Sequence, residues 1–97
     1  MKPARNARHL RLVRALPCAY CAAPAPSDAH HWGPRGVGQK TSDYRTVPLC
    51  RKCHDGFHAS GTVGNMTAED TKWFFLRTQV EILERRIEGE LDSGDAT

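Results

Sequence analysis

The 97-residue sequence contains few aromatic residues, 7% in all, and no long apolar run. A transmembrane helix needs about 20 consecutive apolar residues, so we predict no membrane partner. The basic N-terminus lacks the apolar segment of a secretory signal, which favours a cytoplasmic protein with reduced cysteines. Internal repeats are also absent. A chain this short buries a limited core, so a bound metal would be a useful supplement to its stability.

Acidic side chains are missing from residues 1–16, which hold five basic residues and carry a net charge of +5. The net charge falls to +2 over residues 17–60 and to −4 over residues 61–97. This asymmetry suggests a polyanionic partner such as DNA for the front of the chain. The alternative is that the basic segment only solubilises the protein.

We expect one domain over residues 10–89, between a flexible basic arm (1–9) and a disordered acidic tail (90–97). His9 is interpreted as a surface residue of the arm. The clearest element is a C-terminal helix over 67–88, because Thr67 is a favourable N-cap. Apolar residues recur along it at helical spacing: Trp73, Leu76, Val80, Leu83 and Ile87. This helix either packs on the core or pairs with another subunit, which leaves a homodimer open.

Shorter elements are expected around the second cysteine pair. Residues 29–32 and 44–49 are predicted as strands, with a glycine-rich, basic loop over 33–40. Residues 51–59 are predicted as a helix. Residues 10–16 are predicted as either a strand or a short helix, since their periodicity does not decide between the two.

Four cysteines lie in two Cys-x-x-Cys pairs separated by a long loop: Cys18, Cys21, Cys50 and Cys53. This spacing is typical of a structural zinc site, in which four thiolates surround the ion and leave no position for water. Strained disulfides and an iron–sulfur cluster are the alternatives. A structural zinc ion would tie the two halves of the domain together.

Four histidines gather near the second cysteine pair. His54 and His58 are four residues apart, so on a helix they project from one face and suit one metal ion. His30 and His31 are neighbours, so on a strand they point to opposite faces. One of them can therefore be a ligand while the other faces a substrate, as metal-assisted hydrolysis requires. In the alternative, His54 or His58 replaces a cysteine in a single zinc site. Trp32 is expected in the core.

These motifs together resemble the zinc-clamped HNH endonucleases. The stretch from Gly36 to Cys50, and the entry from Leu12 to Cys18, are similar to the Ref-like, RecA-dependent nucleases of phages and prophages. The resemblance implies an α+β chain with a ββα-metal fold that cleaves DNA. It also implies that His30, His54 and His58 hold a catalytic Mg²⁺, Mn²⁺, Ni²⁺, Co²⁺ or Zn²⁺, and that His31 is the general base.

One position departs from the family pattern, because Arg45 stands where the name-giving asparagine is expected. That asparagine braces the loop of the general base, and Asp43 or Thr46 is a candidate to supply the missing hydrogen bonds. Little sequence specificity is expected, because nothing resembles a module for reading bases. Candidate contacts to DNA phosphates are Arg11, Arg14, Arg35, Lys40 and Arg45. The rival hypotheses are a non-catalytic zinc module that grips DNA or a protein, and an accessory nuclease that needs a recombinase partner.

Overall fold

Two short strands and three helices make up the part of the chain that the structure, a computed structural model, describes: residues 4–33, 41–89 and 91. The elements follow in the order α1 (Ala7–Arg14), β1 (Asp28–His31), β2 (Thr46–Leu49), α2 (Arg51–Ser60) and α3 (Ala68–Ile87). This mixture confirms the predicted α+β class. No helix in the described ranges combines the length and the apolar character needed to cross a bilayer.

The two strands pair antiparallel, and their register decides which face each histidine occupies. His30 lies opposite Val47, and His31 lies opposite Thr46. Because side chains alternate along a strand, His30 shares a face with the buried Val47, while His31 belongs to the other face. The predicted opposition of the two neighbouring histidines is therefore present.

The main apolar cluster lies on the face that His30 shares. It is closed by side chains from the first cysteine loop, β2, the loop after α2, and α3: Cys18, Val47, Leu49, Val63, Phe74 and Phe75. Trp32 packs against this cluster, with its ring centroid 5.7 Å from that of Phe75. Trp32 is thus a core residue, as the sequence predicted.

Helix α1 resolves the choice that the sequence left open for residues 10–16. Its N-cap is Asn6, whose side chain accepts a hydrogen bond from the backbone N–H of His9. Its buried residues Leu12 and Val13 pack with Ile82 of α3 in a second, smaller cluster. The segment is helical because its buried face packs against the two strands and against Ile82 of α3, which are tertiary contacts that periodicity alone does not reveal.

His9 is not the surface residue that the sequence suggested, because its side chain is fully buried. Arginine only donates hydrogen bonds, so His9 Nδ1 accepts the 3.0 Å bond from Arg86 Nη1. Burial, reinforced by the charge of Arg86, lowers the pKa of His9 below its usual value, with Asp43 opposing. The ring is therefore neutral, and its Nε2 has no hydrogen-bond partner among the described residues.

The two later helices match their predicted bounds within two residues. Thr67 caps α3 by accepting a hydrogen bond from the backbone N–H of Asp70. Helix α2 ends at Gly61, which has a φ of 79° in the left-handed region that glycine adopts without strain. The sharp turn after α2 places Val63 in the core.

The predicted boundaries of the arm and of the tail do not coincide with the described structure. The proposed arm (1–9) runs into α1, and only its residues 1–3 lie outside the described part. Leu91 is half-buried and packs against the smaller apolar cluster. The rest of the predicted tail, and residues 34–40 of the glycine-rich loop, lie outside the described residues.

Candidate metal centres

The four cysteines converge from two separate loops. Cys18 and Cys21 lie in the turn after α1, Cys50 is the N-cap of α2, and Cys53 lies in the first turn of that helix. All four are free thiols, and their sulfurs lie within 4.8 Å of one another. The sulfurs of Cys21 and Cys50 are 3.6 Å apart. Sulfurs in a tetrahedron around zinc are separated by about 3.8 Å, so the group can hold a metal such as zinc.

The electrostatics of this group also suit a cation. Burial of Cys18 favours its neutral thiol, but backbone N–H groups of Cys21, Cys50 and Tyr20 outweigh it and lower the pKa of Cys18 to about 7. The pKa of Cys53 is instead raised, by burial and by the neighbouring sulfurs. Four thiolates this close repel one another unless a positive ion lies among them. The donor set therefore fits a metal better than it fits four free thiols.

Three imidazoles form a second group beside the first. His30 comes from β1, and His54 and His58 come from successive turns of α2. His54 Nε2 lies 3.1 Å from His30 Nδ1 and 3.0 Å from His58 Nε2. Two nitrogens bound at right angles to one ion are separated by about 3.0 Å, so these three side chains can hold a metal.

The two groups share no residue among those described. The single merged site, in which His54 or His58 would replace a cysteine, is therefore not formed. The predicted separation of a four-cysteine site from a histidine site is present in the fold.

Asp28 determines which ring nitrogen of His54 carries the proton. Its Oδ2 lies 2.9 Å from His54 Nδ1, and a carboxylate accepts hydrogen bonds, so Nδ1 carries the hydrogen. The lone pair of His54 is thereby left on Nε2, the atom that faces the other two rings. Arg51 in turn bonds to Asp28 at 3.1 Å. A carboxylate behind a ligand histidine is a common support in metal sites.

Sequence reasoning missed Asp28, although a signal was present. Asp28 stands two residues before His30, so on a strand the two side chains share one face. The predicted strand began one residue too late to include it. A strand beginning at Asp28 would have identified it as a candidate partner for a ligand.

His30 is the buried end of the histidine group. Its side chain is 5% exposed and packs against the rings of Phe57 and Phe75, with centroids 4.8 and 5.2 Å away. Burial, followed by the neighbouring His54 and His58, lowers the pKa of His30 to about 4. His30 is therefore neutral near pH 7, as a ligand must be, and its buried Nε2 has no hydrogen-bond partner in the part of the chain that the structure describes. His58 at the other end is exposed, so the group opens to solvent on that side.

His31 lies on the opposite face of β1 and is held by Asp43. His31 Nε2 is 2.8 Å from Asp43 Oδ1, and the carboxylate accepts, so His31 Nε2 carries the hydrogen and Nδ1 presents a lone pair. Asp43 is nearly buried, while the His31 side chain remains 37% exposed. The histidine is thus oriented but still reachable.

Asp43 is itself fixed by the segment before α1. Arg5 Nη1 donates to Asp43 Oδ1 at 2.9 Å, and the backbone N–H of Asn6 donates to Oδ2 at 2.8 Å. Burial alone would raise the pKa of Asp43, but the hydrogen bonds from His31, Asn6 and Arg5 outweigh it and lower the pKa below its usual value. Thr46 Oγ1 donates to the Asp43 carbonyl at 3.0 Å. The carboxylate is therefore ionised and rigidly placed.

The predicted phosphate contacts are less fully defined. Arg45 is exposed, and so are Arg11 and Arg14 on α1. The backbone carbonyl of Arg45 accepts a hydrogen bond from the Trp32 N–H at 3.0 Å, which extends the pairing of the strands. Arg35 and Lys40 lie outside the described residues.

Comparison with known proteins places the chain in a family. The model of a family described as "Protein of unknown function (DUF968)" matches residues 1–86. The chain belongs to the DUF968 family. It is similar to the "Uncharacterized protein YdfU" of Escherichia coli (strain K12), with 43% identity over 54 residues. That match covers 53% of this chain but only 15% of YdfU, and no solved structure matches the chain.

Neither description states an activity. For this member of the DUF968 family, the two groups of side chains are therefore the basis for assigning a function. One group is a closed set of four sulfurs, and the other is an open set of three imidazoles. A fourth histidine, His31, follows His30 in the sequence, and its orientation is fixed by Asp43.

Proposed function

We propose that this chain is a metal-dependent DNA endonuclease of the HNH type, which hydrolyses phosphodiester bonds. The observation that carries the proposal is the convergence of His30, His54 and His58 on one point, while the adjacent His31 is excluded from the group and bound by Asp43. A ligand set with an open side and a separate, oriented base is what metal-assisted hydrolysis needs. The order β1, β2, α2 agrees with a ββα-metal fold.

The catalytic ion would be held by His30 Nδ1, His54 Nε2 and His58 Nε2. A divalent ion bound there supplies positive charge to the scissile phosphate and to the leaving 3′ oxygen. Three neutral imidazoles suit several ions, so Mg²⁺, Mn²⁺, Ni²⁺, Co²⁺ and Zn²⁺ are all candidates. Asp28 keeps His54 in the tautomer that presents Nε2, and the exposed position of His58 leaves one side open to substrate.

His31 would act as the general base. Its Nδ1 lone pair takes a proton from the attacking water, while Nε2–H remains bonded to Asp43. The negative charge of Asp43 stabilises the imidazolium that forms when the proton arrives. The water oxygen then attacks phosphorus, the bond between phosphorus and the 3′ oxygen breaks, and the leaving oxygen takes up a proton from solvent, so the products carry 5′-phosphate and 3′-hydroxyl ends.

Asp43 would also brace the general base, which is the role of the asparagine that this sequence lacks. Arg45 occupies that position in the sequence, but its side chain is exposed. Asp43, two residues earlier, makes the hydrogen bond to the base and is itself anchored by Arg5 and Asn6. The departure from the family pattern is thereby compensated, and Arg45 is free to contact a phosphate.

DNA would be held mainly by charge. Arg11 and Arg14 of α1 and Arg45 are exposed, and the sequence adds Arg35 and Lys40. Such contacts to phosphates are salt-sensitive and carry little sequence information. The four-cysteine group would hold a structural zinc ion that sets the start of α2, and therefore the position of His54 and His58.

A plasmid-cleavage assay tests this proposal. Purified chain is incubated with supercoiled DNA and each candidate divalent ion, alongside His31→Ala. We expect wild-type protein to nick or linearise the DNA, and His31→Ala to be slower by about a hundredfold or more, because general-base catalysis contributes roughly 10²–10⁴-fold.

Two controls make the result interpretable. Asp55→Asn changes an exposed acid on α2 outside both metal groups and should cleave like wild type. The metal content of His31→Ala should equal that of wild type, since His31 is not a ligand. If wild type leaves the plasmid intact under every ion, or if His31→Ala cleaves as fast, the nuclease proposal fails. Retained DNA binding without cleavage would instead favour a zinc-binding module that grips DNA.

A further inference from the structure

Helix α3 carries an apolar stripe that the described part of the chain leaves uncovered. Trp73, Val80 and Ile87 are 56%, 54% and 82% exposed. They recur every seven residues, which returns to nearly the same face of a helix. Beside them a groove of about 440 Å³ runs along the outer face of α3, lined by Trp73, Leu76 and Val80 among others.

The opposite face of α3 is already used by the core. Phe75 and Ile82 are buried there, and Gln79 donates a 2.7 Å hydrogen bond to the Trp32 carbonyl. The exposed stripe is therefore additional to the face that holds the helix on the domain. The groove joins Trp73, Leu76 and Val80 in one apolar surface with a charged rim, which is typical of an interaction surface rather than of an ordinary solvent-facing helix.

We propose that this stripe pairs with the same stripe of a second copy of the chain, with the two α3 helices antiparallel. A two-fold axis beside Val80 places Val80 against its own counterpart and Trp73 against the partner's Ile87. Each of the three exposed apolar side chains then meets another apolar side chain. An isologous pairing of this kind is the commonest symmetric arrangement of soluble proteins.

The charges on the rim favour this arrangement. Arg77 stands three residues before Val80, and Glu84 stands four residues after it, on the same flank of the stripe. With a rise of 1.5 Å per residue, Arg77 and the partner's Glu84 lie at nearly the same height, about 1.5 Å apart along the axis. The two-fold axis repeats this ion pair. In a parallel arrangement, Arg77 would instead lie level with the partner's Arg77.

The expected affinity is modest. A 20-residue helix is about 30 Å long, and a single helical stripe falls short of the roughly 800 Å² per partner of a standard interface. We therefore expect a dissociation constant on the order of micromolar, and a dimer that separates on dilution.

Sedimentation or light scattering of the purified chain, from about 1 to about 300 µM, tests the proposal. The mass should rise with concentration from the 10.8 kDa of one chain towards about 22 kDa, which is twice that value. Val80→Arg should keep the chain monomeric throughout. Arg77→Glu and Glu84→Arg should each weaken the dimer by about tenfold, and the double reversal should restore it.

Arg14→Glu, a charge reversal on the exposed face of α1, is the matched control and should dimerise like wild type. Circular dichroism confirms that each variant keeps its helices. A wild-type chain that remains monomeric at every concentration overturns the proposal. So does a dimer that survives Val80→Arg, or one that both single reversals leave unchanged. These readouts do not depend on nuclease activity.

Discussion

The cysteine group and the histidine group each take two donors from the start or body of α2, but they differ in how those donors are held. Cys50 and Cys53 occupy the start of α2, and His54 begins the histidine set at the next residue. The Cys18 sulfur is oriented by backbone N–H groups of its own loop and of Cys50, whereas His54 is oriented by a carboxylate from β1. Four donors close one group, and three donors with an exposed end leave the other open. The group with four donors is thus suited to stabilising the fold, and the group with three donors is suited to catalysis.

The largest effect should come from breaking the cysteine group. Cys53→Ser should abolish tight zinc binding and lower Tm by about 20 °C or more, because metal binding and folding are coupled in small domains. Thermal denaturation followed by circular dichroism, together with metal analysis, measures both effects. Lys52→Gln, at an exposed position of α2, is the control and should melt close to wild type. A Cys53→Ser protein with unchanged zinc content and Tm would contradict the assignment.

Breaking the histidine group should affect metal binding without unfolding the chain. His54→Ala should retain the ion bound by the cysteines, lose the second ion, and reduce cleavage by more than about a hundredfold. Equilibrium dialysis with Mn²⁺ or Ni²⁺ and the plasmid assay measure these changes. If His54→Ala also releases the tightly bound ion, the two groups are not independent.

Weakening the support of the histidine group should have an intermediate effect. Asp28→Asn removes the charge behind His54, so affinity for the second ion should fall by about 10–100-fold while the cysteine site is unchanged. Asp55→Asn provides the matched control, since Asp55 also pairs with Arg51, while the carboxylate on His54 Nδ1 is that of Asp28. If Asp28→Asn and Asp55→Asn lose equal affinity for the second ion, the loss is caused by the change at Arg51 rather than by the proton on His54.

The smallest effect concerns His9, which shows that burial alone does not make a ligand. Within the described residues, His9 and His30 are both buried and neither Nε2 has a hydrogen-bond partner, but Nδ1 of His9 faces Arg86 rather than other imidazoles. His9→Gln should leave both metal contents unchanged, because a glutamine oxygen can accept the same hydrogen bond from Arg86.

The expected change in His9→Gln is in the pH dependence of stability. Because the pKa of His9 is lower in the folded than in the unfolded chain, neutral His9 makes its full contribution to the free energy of unfolding above about pH 6.5. This contribution is lost as the pH falls from there towards the folded-state pKa. The unfolding free energy of wild type should therefore drop more steeply on acidification than that of His9→Gln. Urea titrations at several pH values measure the two slopes, and identical slopes would refute this role of His9.

The elements that the sequence predicted correctly are those with local causes. Thr67 and the apolar repeat define α3, and the Cys-x-x-Cys pairs identify the four sulfurs that converge. Caps, periodicity and ligand spacing act over a few residues, so they can be read without knowing the fold.

The features that escaped prediction depend on distant contacts. His9 is buried because Arg86 lies 77 residues away along the chain but beside it in space. Asp28 supports His54 only because β1 packs against α2. Asp43 was considered as a brace for the base, but its anchoring by Arg5 was not, since nothing local links residues 38 positions apart.

The bonds to Asp43 have a practical consequence for where the chain can be shortened. A truncated chain beginning at Leu10, the predicted start of the domain, would lose both Arg5 and Asn6 while keeping every cysteine and every histidine of the two metal groups. Its buried carboxylate would then retain His31 as its described side-chain donor, and an underbonded buried charge is costly. Such a chain would contain every motif residue, but the orientation of His31 would be poorly fixed. The segment before α1 therefore belongs to the smallest unit worth expressing.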